Sequence, residues 1–364
     1  MADDNTYFSI AAMQPNMHYA ANQEELFDKN LNRWLELIDH MVPYWSMITG
    51  APCRLVVFPE YGFMSLPRKP DGSWNGHAIK LPGAESDALA EKAKKHGVFI
   101  AAHAWVEYDD LPGRPMSVAF VIDPKGEIVL RHHKTVISRS YEAGSTAPGD
   151  VYDWFVEKFG DGLDAFFPVA HTEIGGLGFQ ICGEGQYAEV SRGLMLNGAE
   201  IIMRPNAWLE PWMTEPQDLM AVITQFNAFS SMSYTIEANR GHLYHPGRAV
   251  DFGAGRSMIA DYTGRLLARA SAHGESGVAA EVNMESLRRY REESGFCSRT
   301  VFMPSEIFAK VYTESGEMWP KNTLMNRTTS MTSAEWEDVR RQVIERRRDV
   351  FKESEHSKSS KARI

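Results

Sequence analysis

The sequence predicts an α/β protein built on mixed sheets. Three observations carry that expectation. Short apolar runs alternate with stretches of helical periodicity, a strand–helix–strand unit stands near the middle of the chain, and two hairpin signals interrupt the parallel pattern. The 364 residues suffice for one large domain or two ordinary ones. A chain of this length can bury about three quarters of its unfolded surface. Hydrophobic residues at 43% and charged residues at 24% are the proportions of a folded globular protein, which excludes global disorder and fibrous repeats.

The elements follow in order. Residues 7–13 (YFSIAAM) read as a first buried strand, and Leu26, Phe27, Leu31, Trp34, Leu35, Ile38 and Met41 then recur at helical spacing. Residues 55–58 (LVVF) form a strand that Pro59 stops. A helix is expected over 86–96, ended by Gly97, before a strand over 98–105 (VFIAAHAW). Segments 117–122 and 127–132 flank Asp123-Pro124-Lys125-Gly126 and predict an antiparallel hairpin. Residues 152–167 look like an insertion between elements. Strands over 177–181 (LGFQI) and 199–203 (AEIIM) bracket a helix over 189–196 that Asn197-Gly198 closes. Residues 217–239 read as one long helix, and 256–261 with 265–268 flank Tyr262-Thr263-Gly264 as a second hairpin. Near the end, Thr332 and Glu335 have capping-box spacing ahead of Trp336, Val339, Val343 and Ile344. The other faces of that helix are basic, and the Lys-, Ser- and Glu-rich composition after Phe351 predicts disorder.

Charge and cysteine content narrow the function. Lys plus Arg number 38 against 48 Asp plus Glu, for a net charge of −10. Domains that grip phosphate backbones carry a basic excess, so nucleic acid is not expected as the main partner. Cys53, Cys182 and Cys297 make no close pairs, so neither a disulfide framework nor a Cys-rich zinc site is expected. The acidic start lacks a basic region followed by an apolar stretch, and no apolar run is long enough to span a bilayer. These features predict a cytoplasmic protein without a membrane partner.

Several familiar motifs fail. Gly176-Leu177-Gly178 begins like a dinucleotide fingerprint, but Ile181 stands where the third glycine belongs. There is no phosphate loop and no Gly-x-Ser-x-Gly elbow. His132 and His133 are adjacent, so on a strand they face opposite ways. His242 and His245 lie beside Pro246-Gly247 and read as turn histidines. No metal site and no cofactor is expected.

Three segments instead set a reactive side chain just past a strand: Phe58-Pro59-Glu60-Tyr61, Arg131-His132-His133-Lys134, and Gln180-Ile181-Cys182-Gly183-Glu184-Gly185. Strand-end loops in α/β sheets converge on a crevice, so a carboxylate, an ammonium and a thiol can meet there. A free thiol has a pKa of about 8.5, too high for much thiolate at neutral pH. A neighbouring ammonium favours thiolate, and a carboxylate can take the proton. The expectation is that Cys182 attacks a carbon bonded to nitrogen, Lys134 and the Gly183 N–H stabilise the oxyanion, and Glu60 moves the protons.

These segments resemble the Glu-Lys-Cys triad of the nitrilase, or carbon–nitrogen hydrolase, superfamily, over residues 7–268. Tyr141-Glu142 followed by Pro148-Gly149-Asp150 resembles the loop with that family's additional active-site glutamate. Cys182-Gly183-Glu184-Gly185-Gln186-Tyr187-Ala188-Glu189 is most similar to aliphatic amidases and formamidases, with Glu184 in place of their Asp and Ala188 in place of their Pro. The resemblance implies an αββα sandwich that forms homo-oligomers through its helices. It also implies one hydrolase domain over 1–330 with a tail over 331–364.

Each candidate has a plainer reading. A cysteine at a strand end is usually a small buried hydrophobe, and that reading is kept for Cys53 and Cys297. For Cys182 the flanking glycines and the matching Glu60 and Lys134 segments reverse it. Glu142 reads as an ion pair to Lys134, a proton carrier, or both. Glu189 and Arg192 read as a structural pair on one helix. Tyr61, Gly183, Tyr187 and Trp208 are the candidate substrate-binding residues, with Trp208 equally a core tryptophan. The sequence thus predicts an amidase that hydrolyses a linear carbon–nitrogen bond of a small-molecule amide through a cysteine thioester, releasing ammonia or an amine. A nitrilase or an N-carbamoyl (ureido) hydrolase with the same triad is the alternative. A non-catalytic assembly protein, with its tail in filament contacts, is a third reading.

Overall fold

The structure, a computed structural model, describes residues 5–64, 77–139, 142, 144–210, 213–244, 253–294, 298–314 and 318–356. Tyr141, Trp212, His245 and Cys297, and the tail beyond His356, lie outside the described residues.

In chain order the strands are β1 (Tyr7–Gln14), β2 (Met17–His18), β3 (Cys53–Val57), β4 (Phe99–Val106), β5 (Met116–Ile122), β6 (Ile128–His133), β7 (Val169–Thr172), β8 (Gly175–Phe179), β9 (Ile201–Pro205), β10 (Tyr234–Ala238), β11 (Leu243–Tyr244), β12 (Met258–Ala260), β13 (Leu266–Arg269) and β14 (Ser276–Asn283). The helices are α1 (Gln23–Leu26), α2 (Asn32–Thr49), α3 (Ala84–His96), α4 (Tyr152–Phe159), α5 (Leu163–Phe166), α6 (Ala188–Leu196), α7 (Leu219–Ser231), α8 (Met284–Glu293), α9 (Ser305–Thr313) and α10 (Ser333–His356).

Two six-stranded sheets stack face to face. One has the order β14-β1-β3-β4-β5-β6, the other β13-β12-β10-β9-β8-β7. In each, parallel pairs lie at the centre and antiparallel hairpins toward the edges, as the mixed pattern in the sequence predicts. Strand alternation builds the layers. Phe8, Ile10, Leu55, Val57 and Phe99 point inward against Leu177, Phe179, Ile201, Met203 and Ile236 of the opposite sheet. Ala11, Val56, Ile100 and Phe120 point outward onto Trp34, Ile38, Leu89 and Ala93 of α2 and α3. On the other side Ile202 packs against Val190 and Leu194 of α6, while α7 lies over β10. The result is the helix–sheet–sheet–helix sandwich. Burying each such side chain is worth about 1.5–3 kcal/mol, so both faces of each sheet contribute to stability.

Local signals set most boundaries. Gly97 takes φ 64°, the left-handed conformation that ends α3. Asp123 accepts the Glu127 and Lys125 N–H groups in the β5–β6 turn. The Thr332–Glu335 capping box forms at the start of α10. The expected insertion is α4 and α5.

One element departs from expectation. Residues 217–239 are not a single helix: α7 ends at Ser231, and 234–238 form β10 at the middle of the second sheet. Met232, with φ 49°, turns the chain out of the helix. The YTIEA run then pairs parallel to β9, where tertiary pairing outweighs the helical spacing of its apolar residues. At the tail, α10 continues past Phe351 to His356.

Candidate active site

The three reactive segments end strands whose C-terminal ends lie on one side of the sandwich. After β3, Phe58 extends the pairing by donating to the Ala101 carbonyl, and Pro59 stops it, leaving Glu60 at the rim. Lys134 is the first residue past β6, anchored by its N–H on the Ser117 carbonyl at 2.9 Å. Past β8, Gln180 donates to the Met203 carbonyl, and the chain enters a 3₁₀ turn, Cys182–Gln186. Cys182 opens that turn at φ 46°, a left-handed conformation uncommon for a residue with a side chain. Ala207 and Trp208 follow β9.

A buried charge cluster forms the floor. The Lys134 ammonium donates to Glu60 Oε1 at 2.6 Å and to both Glu142 oxygens at 2.8 and 2.9 Å. All three side chains are almost fully buried. The Tyr61 hydroxyl and the Ser138 N–H also donate to Glu142. Burial penalises the charged form of Lys134, but the two carboxylates outweigh it and hold the ammonium protonated. One cation then faces two carboxylates. Burial, opposed by Lys134 and reinforced by Glu142, raises the Glu60 carboxyl from 4.5 to about 7. His103 accepts the Tyr61 N–H at Nδ1, so its proton sits on Nε2 toward Ser117, and burial keeps the ring neutral.

The thiol behaves differently from the expectation drawn from its neighbours. Burial and the charges of Glu60 and Glu142 outweigh Lys134 and raise the Cys182 thiol well above its ordinary value. The resting group is S–H, beside the Glu60 carboxylate on the same cavity. Proton removal therefore belongs to the moment of attack.

The turn around Cys182 is fastened on two sides. The buried Glu184 carboxylate accepts from the Ile181 N–H, the Thr135 N–H and the Thr135 hydroxyl, each at 2.7 Å, and from His132 Nε2 at 3.0 Å. It thus ties the residue before Cys182 to the residue after Lys134. From below, the buried Arg204 pairs with Glu237 at 2.8 Å and lies against Gly185, where a Cβ would collide with its guanidinium. Asn227 donates to the Gly185 carbonyl at 3.0 Å.

Glu60, Tyr61, Lys134, Glu142, Cys182, Gly183, Tyr187 and Trp208 all line one cavity of about 460 Å³. Every residue singled out from the sequence as catalytic or substrate-binding is therefore brought together. Cys182 is partly exposed into the cavity, whereas Cys53 is buried and its thiol is pushed up to about 12 by that burial. Trp208 is at once a wall residue and a core residue, packed with Met213 and Met220. Glu189 does not hold Arg192: it accepts from Tyr312 of α9, and Arg192 reaches the Met195 sulfur. The sequence reading missed Glu184 with its partners His132 and Thr135, and the wall residues Val136, Ile137 and Leu209. Glu184 stands two residues after the nucleophile, and His132 and Thr135 flank Lys134, so neighbourhood in sequence was the signal. No group of three or more His, Cys, Asp or Glu among the described residues could hold a metal ion.

Comparison with known proteins agrees with this fold. A sequence model of the carbon–nitrogen hydrolases matches residues 9–292. A formamidase of Bacillus cereus (strain Q1) is 27% identical over 245 residues, 66% of this chain and 65% of that protein. The chain therefore spans about 65% of the length of the formamidases it matches. Among solved structures, a carbon–nitrogen hydrolase from Helicobacter pylori G27 superposes with a TM-score of 0.67 at 18% identity, covering 85% of this chain and 99% of the other. An amidase of the nitrilase superfamily from Nesterenkonia AN1 superposes with a TM-score of 0.61 at 15% identity, covering 84% and 98%. The fold is common to both solved structures.

Proposed function

We propose that this chain, which belongs to the carbon–nitrogen hydrolase family, is an amidase that cleaves a linear carbon–nitrogen bond through a thioester on Cys182. The observation that carries the reading is that Cys182 and Glu60 line one cavity together with an ammonium held by two carboxylates.

The steps follow from that arrangement. As the amide carbonyl carbon meets the sulfur, the thiol proton passes to Glu60 and the S–C bond forms. The oxyanion is stabilised by the Lys134 ammonium and the Gly183 N–H. Glu60 returns the proton to the leaving nitrogen, the C–N bond breaks, and ammonia or an amine departs. Water then attacks the thioester carbonyl, giving its proton to Glu60. Collapse releases the carboxylic acid and restores the thiol. A group with pKa near the working pH suits both directions of transfer, and such catalysis is worth about 10²–10⁴-fold. Glu142 keeps Lys134 charged and oriented.

The cavity also bears on the substrate. Formamide has three heavy atoms, and a water molecule occupies only about 30 Å³ of liquid. A space of about 460 Å³ walled by Val136, Ile137, Ala207, Trp208 and Leu209 suits a larger, apolar acyl group. No helix among the described residues is long and apolar enough to cross a membrane. The reading goes with a cytoplasmic homo-oligomer.

An ammonia-release screen over aliphatic, aryl and ureido amides, with nitriles alongside, tests it. Release from amides larger than formamide is expected, and Cys182→Ala is expected to abolish it while leaving the circular dichroism spectrum unchanged. Mass spectrometry of quenched reactions should find the acyl group on the Cys182 peptide. Full turnover in Cys182→Ala would sink the reading, and product only from nitriles or ureido compounds would transfer it to those substrates. Absence of turnover with every amide, nitrile and ureido compound would favour a non-catalytic protein.

A further inference from the structure

The family match ends at residue 292, yet residues 318–339 run back to the loop that carries Glu142. The indole of Trp336, 1% exposed, covers the Arg139 guanidinium at 4.1 Å, and Trp319 lies over the same group at 5.8 Å. Arg139 pairs with the buried Asp150 at 2.8 Å, and Asp150 accepts the Thr323 hydroxyl at 3.0 Å. The Leu324 N–H donates to the Asp150 carbonyl at 2.9 Å, and the Ser330 hydroxyl donates to the Gly144 carbonyl at 2.7 Å. Arg114 holds this segment in turn, donating to the Leu324 and Met325 carbonyls at 3.0 and 3.3 Å. Leu324 itself is fully buried in the main core.

Both flanks of Glu142 are therefore gripped from outside the family domain, Arg139 three residues before it and Gly144 two after. Among the described residues, the stretch around Glu142 meets the strands through the bridge of Met116 to Thr146 and through Trp105 Nε1, which donates to the Ser145 hydroxyl at 2.6 Å. Within the loop, the Glu142 N–H donates to the Ser138 carbonyl and the Ser145 N–H to the Glu142 carbonyl.

We infer that residues 318–339 form an intramolecular strap that fixes Glu142 against Lys134, so that the C-terminal extension is part of the active-site support, with Arg139, Ser330 and Trp336 as positioning residues. The inference rests on the amidase reading and on the place of Glu142 in it. Release of the strap lets the loop drift, and Lys134 then keeps Glu60 as its main partner. Orientation of the cation at the oxyanion is lost without loss of the cavity. The effect falls on kcat more than on KM, because Ala207, Trp208 and Leu209 line the apolar wall from the facing sheet and Val136 and Ile137 precede the stretch that the strap grips, which begins at Arg139.

A double-mutant cycle tests this. Trp336→Ala is expected to lower kcat about tenfold while KM stays within about threefold, and Trp336→Phe to recover most of the loss. Ser330→Ala, the milder change, is expected to lower kcat about threefold. In a Glu142→Gln background each should change kcat by less than about twofold. Alkylation of Cys182 by iodoacetamide supplies a readout without turnover. Glu142 is one of the charges that keep the thiol protonated, so Trp336→Ala should speed alkylation about threefold in the native background and not in Glu142→Gln. Equal effects in both backgrounds, or a lowered melting temperature with kcat and alkylation unchanged, overturns the strap. Absence of amide hydrolysis by the unaltered chain overturns the amidase reading instead, and the alkylation cycle then decides the strap by itself.

Discussion

Glu60 and Cys182 share one proton system. The thiol is held as S–H, the carboxyl is raised to about 7, and the two line the same cavity. Glu60 must be ionised to take the thiol proton. kcat/KM is therefore expected to rise with pH through a midpoint near 7, and a pH–rate profile measured from 5 to 9 checks it. A profile flat across neutrality would remove Glu60 from the base role. The same shift bears on stability. The folded chain binds the Glu60 proton more tightly than the unfolded chain does, so this residue favours the native state fully below 4.5 and loses that contribution as pH rises through about 7. The residues themselves were legible in the sequence, because each stands past a short apolar run, Glu60 after Pro59, Lys134 after the histidine pair and Cys182 just before Gly183. The protonation of the thiol was not: it depends on the balance of burial, Glu60 and Glu142 against Lys134, which only the fold assembles.

At the scale of elements, the 3₁₀ turn of Cys182 is held by Glu184 more than by its own hydrogen bonds. Burial works against the Glu184 carboxylate, but His132 and Thr135 bring it below its ordinary value. Its stabilising contribution is thus present above pH 4.5 and is lost as pH falls through the lower folded value. Glu184→Ala leaves His132, Thr135 and the Ile181 N–H without their acceptor. It is expected to cost about 3 kcal/mol or more, read from the urea midpoint. A change below about 0.5 kcal/mol would show that water replaces the carboxylate at no loss. Strands with a clean boundary, such as β3 before Pro59 and β4 after Gly97, could be read from sequence alone. β10 could not, since nothing in Ser233-Tyr234 marks the end of a helix and Met232 supplies the left-handed turn that a glycine would have announced. β14 and the strap were invisible for a related reason: their roles lie in contacts hundreds of residues away.

At the scale of the whole molecule, α7 leaves an apolar face uncovered. Leu219, Val222, Phe226 and Phe229 of α7 are all more than 40% exposed and fall in one stripe at helical spacing. Such a stripe on the outer layer of the sandwich suits a second copy of the chain. Phe226→Asp is expected to move the protein from dimer or larger assembly to monomer in light scattering, with the circular dichroism spectrum kept. A native chain that is monomeric at micromolar concentration would refute the association.

The stacking of the two sheets has an evolutionary consequence. Glu60, Lys134 and Glu142 hang from one sheet and satisfy one another there, whereas Cys182, Tyr187 and Trp208 hang from the facing sheet. Substitutions at Trp208 or Leu209 can remodel the chamber without touching the proton-handling trio, so selectivity and reactivity are free to drift along separate lineages of mutation. Only the spacing between the sheets is inherited by both.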